Sequence, residues 1–263
     1  MSNVTVTDAG TGVMHATVTA TARISPNFVR VTIGGDDLAR YEYTGFDQWF
    51  RLALPVDDGT GLDSLPSTFG IGGYLKYLAI AKTSRPVIRN YTVRQYRSSP
   101  PELDIDFVVH GTEGIAGPWS LTAEPGAPVA LIDQGTGWRS IPGDSYLLVA
   151  DESGLPAIAG ILRDMPRDAI GHAIIEIPDV ADRQNTEEPD GVTVHWIVRD
   201  HGRPGELALA AAKDVPLSGT PSVFVVGESG LATGLRRWAV NERGVPKSNI
   251  VFCGYYKLGK AAG

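Results

Sequence analysis

The densest run of side chains able to do chemistry is Arg89-Asn90-Tyr91-Thr92-Val93-Arg94. In an extended strand successive side chains alternate, so Arg89 and Tyr91 share one face about 7 Å apart. A dinucleotide with a flat ring system, a flavin for example, uses both: a guanidinium for its pyrophosphate and an aromatic cover for its ring. Thr92 adds a hydroxyl that reaches a ring nitrogen if the strand ends or twists there. Arg94 points to the other face of a regular strand and serves equally well in a structural ion pair. An ordinary exposed strand would carry the same residue types.

A second constellation runs His110-Gly111-Thr112-Glu113-Gly114-Ile115-Ala116-Gly117-Pro118-Trp119-Ser120. Its glycines let backbone amides approach an anion, and Pro118 suits the first turn of a helix whose N-terminus favours phosphate. A plain glycine-rich turn is the alternative. Further on, Asp151-Glu152-Ser153-Gly154 and Gly227-Glu228-Ser229-Gly230 each join an apolar strand to a helix. Ser153 is a natural helix cap, but ligands of open α/β sheets also bind at such strand ends. Neither turn has the G-x-G-x-x-G spacing.

The elements that must position these residues fall into two regimes. From Val13 to Leu131 the hydrophobic period is mostly two, with strands expected at 28–33, 49–54, 88–96, 103–110 and 129–132 and a short helix at 74–81. Several short strands with few helices must close into a barrel or pack as two sheets. Beyond Gly143, strands at 146–150, 172–177, 192–198, 223–226 and 250–253 alternate with helices at 155–163, 206–213 and 231–242, the pattern of a parallel sheet covered by helices. The glycine-rich stretch Asp133 to Asp144 reads as the linker. The expected domains are therefore residues 1–140, an antiparallel Greek-key β-barrel, and 141–263, a parallel α/β domain.

Composition narrows the function. The chain has 263 residues, 43% of them hydrophobic, and a formal charge of −7 with a pI near 5.2. That charge argues against a nucleic-acid partner, which needs an excess of Lys and Arg. No apolar run is long enough for an integral membrane segment and the first residues do not resemble a secretion signal, so a cytoplasmic monomer is expected. Cys253 is the one cysteine and the five histidines show no ligand spacing. An iron–sulfur, haem or zinc site is not expected, and redox chemistry would need an organic cofactor.

Taken in order, RNYTVR, HGTEGIAGPWS, ADESGLPAIAGIL and the closing GYYKLGK resemble the siderophore-interacting proteins, a branch of the ferredoxin reductase-like flavoenzymes. The resemblance spans nearly the whole chain. It implies an FAD barrel joined to a nicotinamide domain, with electrons passing from NADPH or NADH through FAD to a ferric siderophore. It implies that Arg89, Tyr91, Thr92 and Arg94, together with His110, Gly111, Ala116, Gly117, Trp119 and Ser120, hold FAD. It also implies that Asp151, Ser153 and Glu228 flank the nicotinamide. Arg51, Lys257 and Lys260 are the implied acceptor contacts, or else solvated surface cations. Two positions depart from the family pattern: Tyr256 stands where Trp is usual, and Arg51 where Lys is usual. Another acceptor, or siderophore binding without turnover, fits the same motifs. For the nicotinamide ribose, Glu176 and Asp179 would suit the diol of NADH, and Arg183 or Arg199 the extra phosphate of NADPH.

Overall fold

A computed structural model describes residues 2–4, 12–56, 61–66, 71–109, 114–139, 141 and 143–259. The chain forms two compact units, one from Val6–Thr44 and Gln48–Thr136, the other from Met1–Thr5, Gly45–Asp47 and Gly137–Gly263.

Among the described residues the first unit carries seven strands: β1 (Met14–Ser25), β2 (Phe28–Gly34), β3 (Trp49–Leu54), β4 (Val87–Thr92), β5 (Gln95–Ser98), β6 (Pro101–Val108) and β7 (Pro128–Asp133). All pairings are antiparallel, in the order β4-β3-β7-β1-β2-β6-β5. The two ends of that order are one piece of chain. Val93 N donates to Gln48 O and the next amide, Arg94 N, donates to Asp104 O. The backbone therefore leaves its β3-side partner for its β6-side partner within two residues. That switch closes the sheet into a barrel, and it divides what the periodicity predicts as a single strand over 88–96. Closure removes the exposed edges an open sheet would leave. Phe50, Leu52, Leu54, Val31, Ile33, Leu103, Ile105 and Phe107 alternate inward and are fully buried. β1 escapes the sequence pattern because it alternates Thr with Ala, a weak hydrophobic signal. Two short helices are attached: α1 (Ile71–Ala79) and α2 (Ala116–Thr122).

The second unit runs β8 (Tyr146–Ala150), α3 (Leu155–Asp164), β9 (Ile170–Ile177), β10 (Gly191–Val198), α4 (Glu206–Asp214), β11 (Ser222–Glu228), α5 (Ser229–Asn241) and β12 (Ile250–Tyr256). The sheet is parallel, in the order β10-β9-β8-β11-β12. Strands covered on both faces read as continuous apolar runs, and Val223 to Val226 are all buried. Leu147, Val149, Val223 and Val225 pack under α4 and α5. α3 is buried along its whole length from Leu155 to Leu162. The order reverses direction between β8 and β11. Doubly wound folds bind ligands outside the carboxyl ends of the strands at such a switch point.

Candidate functional site

In the barrel, β4 pairs with β3 so that Tyr91 opposes Phe50 and Arg89 opposes Leu52. Phe50 and Leu52 face the barrel core, so Arg89 and Tyr91 share that face, as alternation requires. The Tyr91 ring packs on Phe107 with centroids 4.3 Å apart, and Phe107 packs on Trp119 of α2 at 5.7 Å. Ala116 of α2 belongs to the same core. One aromatic chain thus ties the RNYT strand to α2. Burial pushes the Tyr91 phenol well above its usual range, partly offset by the Arg89 charge, so the hydroxyl stays protonated.

Arg89 is half-buried, and its guanidinium donates to the carbonyl of its own neighbour, Ile88, at 2.8 Å. Among the described residues no carboxylate pairs with it. A half-buried cation without a counter-ion suits an anion. β4 ends at Thr92, which is buried and makes no side-chain hydrogen bond among the described residues. Directly across from it, the buried Nε1 of Trp49 also lacks a partner. At Gly114, φ is +84°, and among the described residues a Cβ there would meet nothing within 4 Å. These features fit FAD: a cation for the pyrophosphate, a ring, and unsatisfied polar groups beside the end of the strand.

Other expected contacts are engaged elsewhere. Arg94 lies 3.7 Å from Asp106, whose side chain is fully buried and is also held by Arg30 at 2.6 Å, so its charge is compensated within the protein. The Ser120 hydroxyl donates to Gly117 O at 2.7 Å within its own helix. Arg51 opposes Asn90 and Ile132, on the sheet face away from Arg89 and Tyr91. His110 and Gly111 lie outside the described residues.

In the second unit, Asp151 directly follows β8 and Glu228 ends β11, the two strands at the switch point. Asp151 is fully buried. Its Oδ1 accepts from Ser153 N at 2.9 Å and Ser153 Oγ at 2.6 Å; its Oδ2 accepts from Glu228 N at 2.6 Å and Tyr256 Oη at 3.2 Å. Burial, reinforced by Glu152, pushes the Asp151 carboxyl up to about 6 against the pull of these donors. Gly227 has φ +121°, and a Cβ there would fall 2.6 Å from the Asp151 carboxyl. Glycine at 227 is therefore what lets β8 and β11 be laced together. The Glu228 carboxylate accepts from Gly230 N and from Leu258 N, the latter at 3.2 Å. Leu258 follows Lys257, which is exposed; Lys260 lies outside the described residues.

Two of the four ribose expectations, Glu176 and Arg199, need correction. Glu176 has no exposed surface. Its Oε1 accepts from Arg199 at 2.6 Å and Gly205 N at 2.8 Å, and its Oε2 from Ala208 N at 2.8 Å, at the start of α4. Arg199 is in turn clamped by Glu152 at 2.6 Å. Neither side chain is available to a ribose or its phosphate, because a buried carboxylate must be paired and here the fold itself pairs it. The sequence reading also gave Tyr256 no role beyond its departure from Trp. Its hydroxyl joins β12 to Asp151, a link between distant strands that no local pattern encodes.

Residues 17–137 match the family described as the siderophore-interacting FAD-binding domain, and residues 143–259 match the siderophore-interacting protein family. Over 241 residues the chain is 33% identical to a ferric vibriobactin reductase of Vibrio cholerae, covering 90% of this chain and 86% of that one. It is 30% identical over 189 residues to an NADPH-dependent ferric-chelate reductase of Escherichia coli, 70% of each chain. The solved structure of a siderophore utilization protein from T. fusca superposes with a TM-score of 0.79 at 30% identity, covering 95% of this chain and 94% of the other. With its barrel, its doubly wound sheet and both halves matched, the chain belongs to the siderophore-interacting protein family.

Proposed function

We propose that this chain is an FAD-dependent reductase of ferric siderophores that draws its electrons from NAD(P)H. The observation that carries the reading is Arg89: a half-buried cation without a carboxylate partner among the described residues, beside a ring anchored to the α2 turn. FAD, when bound, supplies the chemistry that accepts two electrons together from a nicotinamide and releases them singly.

The protein's own residues bind and orient. Arg89 holds the pyrophosphate, and Tyr91 packs against the ring system and keeps water from it. Thr92 offers its hydroxyl to the edge of the ring. Asp151 fixes the Glu228 turn through the backbone and holds Tyr256, so the crevice at the ends of β8 and β11 is formed before the nucleotide arrives. Lys257, exposed beyond β12, attracts an anionic ferric complex by charge. No acid or base is needed at the metal. One NAD(P)H and two Fe(III) give NAD(P)⁺, one proton and two Fe(II).

Anaerobic mixing of the FAD-loaded protein with NADPH or NADH, then with a ferric siderophore, tests this with a chromogenic Fe(II) chelator as the trap. Bleaching of the flavin absorbance followed by two equivalents of trapped Fe(II) is expected. Protein that takes up no FAD, or that is reduced yet yields no Fe(II) with any ferric siderophore, overturns the reading.

A further inference from the structure

We propose that the nicotinamide donor is NADPH, and that Arg183 and Arg203 hold its 2′-phosphate. This rests on the reading of the second unit as the NAD(P)H site.

In a doubly wound sheet the adenosine ribose sits beyond the carboxyl end of the second strand, here β9, next to β10. An acidic side chain there reads the free 2′-hydroxyl of NADH; a cation accommodates the phosphate of NADPH. The acid best placed by sequence, Glu176, is sealed inside the fold with both oxygens occupied. Its neighbour Asp179 caps the following turn, with Oδ1 accepting from Ala181 N at 2.8 Å. On the β10 side, Asp200 projects into solvent with its side chain 94% exposed.

The cations differ among themselves. Arg199 is locked between Glu152 and Glu176. Arg183, after β9, and Arg203, after β10, are both exposed, and among the described residues neither pairs with a carboxylate. β9 and β10 are in register to their ends, Ile177 beside Val198, and Arg199 N donates to Ile177 O at 2.8 Å, so the two loops leave the sheet side by side. Each loop is also held firmly. The Arg183 turn is fixed by a reciprocal cap in which Asp182 Oδ2 accepts from Asp179 N at 3.1 Å. The Arg203 loop is tied down two residues later, where Gly205 N donates to Glu176. The buried Glu152–Arg199–Glu176 group therefore anchors the Arg203 loop, the Asp179–Asp182 cap fixes the Arg183 turn, and each loop carries an exposed arginine without a carboxylate partner among the described residues. Two guanidinium groups on fixed loops match the charge of a phosphate monoester, whereas a ribose diol would find no free buried acceptor there.

The test uses the full-length FAD-loaded protein and two probes, 2′,5′-ADP and 5′-AMP, in titration calorimetry at fixed ionic strength. The diphosphate should bind at least tenfold tighter. The Arg183→Gln/Arg203→Gln pair should lose that advantage while leaving 5′-AMP binding and the circular dichroism spectrum unchanged. In anaerobic flavin reduction, the kcat/KM ratio of NADPH to NADH should fall at least tenfold in the same variant. Equal or tighter binding of 5′-AMP, or an unaltered preference in the double variant, overturns the assignment while the NAD(P)H reading stands. Failure of both NADPH and NADH to reduce the flavin overturns the two together.

Discussion

Of two arginines five residues apart, the sequence offers Arg89 for the pyrophosphate and leaves Arg94 open between the flavin and a structural ion pair, and the structure separates them. Among the described residues the Arg89 guanidinium makes one hydrogen bond, to the carbonyl of Ile88 at 2.8 Å. Replacing it with Ala removes no ion pair among the described residues, so stability should change by less than about 0.5 kcal/mol. A hydrogen bond to a charged group is worth about 1.5–3 kcal/mol, which at 1.4 kcal/mol per decade weakens FAD binding by roughly ten- to a hundredfold. Arg94 is opposite in both respects. Its side chain is 12% exposed and 3.7 Å from the fully buried Asp106, which keeps Arg30 at 2.6 Å when Arg94 is gone. Breaking a buried pair outright costs about 3–5 kcal/mol; with one cation retained, Arg94→Ala should cost about 1–2 kcal/mol. Its FAD affinity should stay within about twofold, since less than 0.5 kcal/mol is at stake. Fluorescence titration of apoprotein with FAD, paired with urea unfolding of the same samples, reads both quantities. If Arg94→Ala loses FAD tenfold at unchanged stability, or Arg89→Ala binds FAD like the parent, the assignment of charge at this strand is wrong.

Other consequences follow from the second unit. Gly227→Ala places a Cβ 2.6 Å from the Asp151 carboxyl at φ +121°, so it should destabilise the protein by about 2 kcal/mol or more and raise the KM for the nicotinamide. Glu176→Gln leaves Arg199 Nη1, Gly205 N and Ala208 N facing an amide with one acceptor; unfolding should become easier by about 2–4 kcal/mol in a urea titration. Burial pushes Asp47 and Asp151 up to about 6 each, above the roughly 3.9 of an unfolded aspartate, so between those values the folded chain holds protons the unfolded one has lost. Their stabilising share is complete below about pH 4 and lost as pH rises through about 6, up to about 3 kcal/mol apiece. In Asp47→Asn, urea midpoints measured from pH 4 to 7 should lose one such increment of slope; an identical slope would show that Asp47 does not titrate there.

Period-two strands followed by alternating strands and helices were legible in the residues, because burial of one or both faces writes itself into local hydrophobic order. So were Arg89 and Tyr91, whose common face follows from alternation alone. The Arg183 and Arg199 alternatives were visible too, but not the choice between them. Tertiary structure removed Arg199 from the pair by occupying it. Asp106 on β6 takes Arg94, and Glu152 and Glu176, 47 and 23 residues away, take Arg199. Tyr256 reaches Asp151 across 105 residues. Sequence determined which residues could carry charge, ring or hydroxyl to a site, since those are properties of single side chains and their spacing. Only the fold decided which of those groups are already neutralised by a distant partner, because a buried charge must find its counter-ion wherever the packed chain brings one.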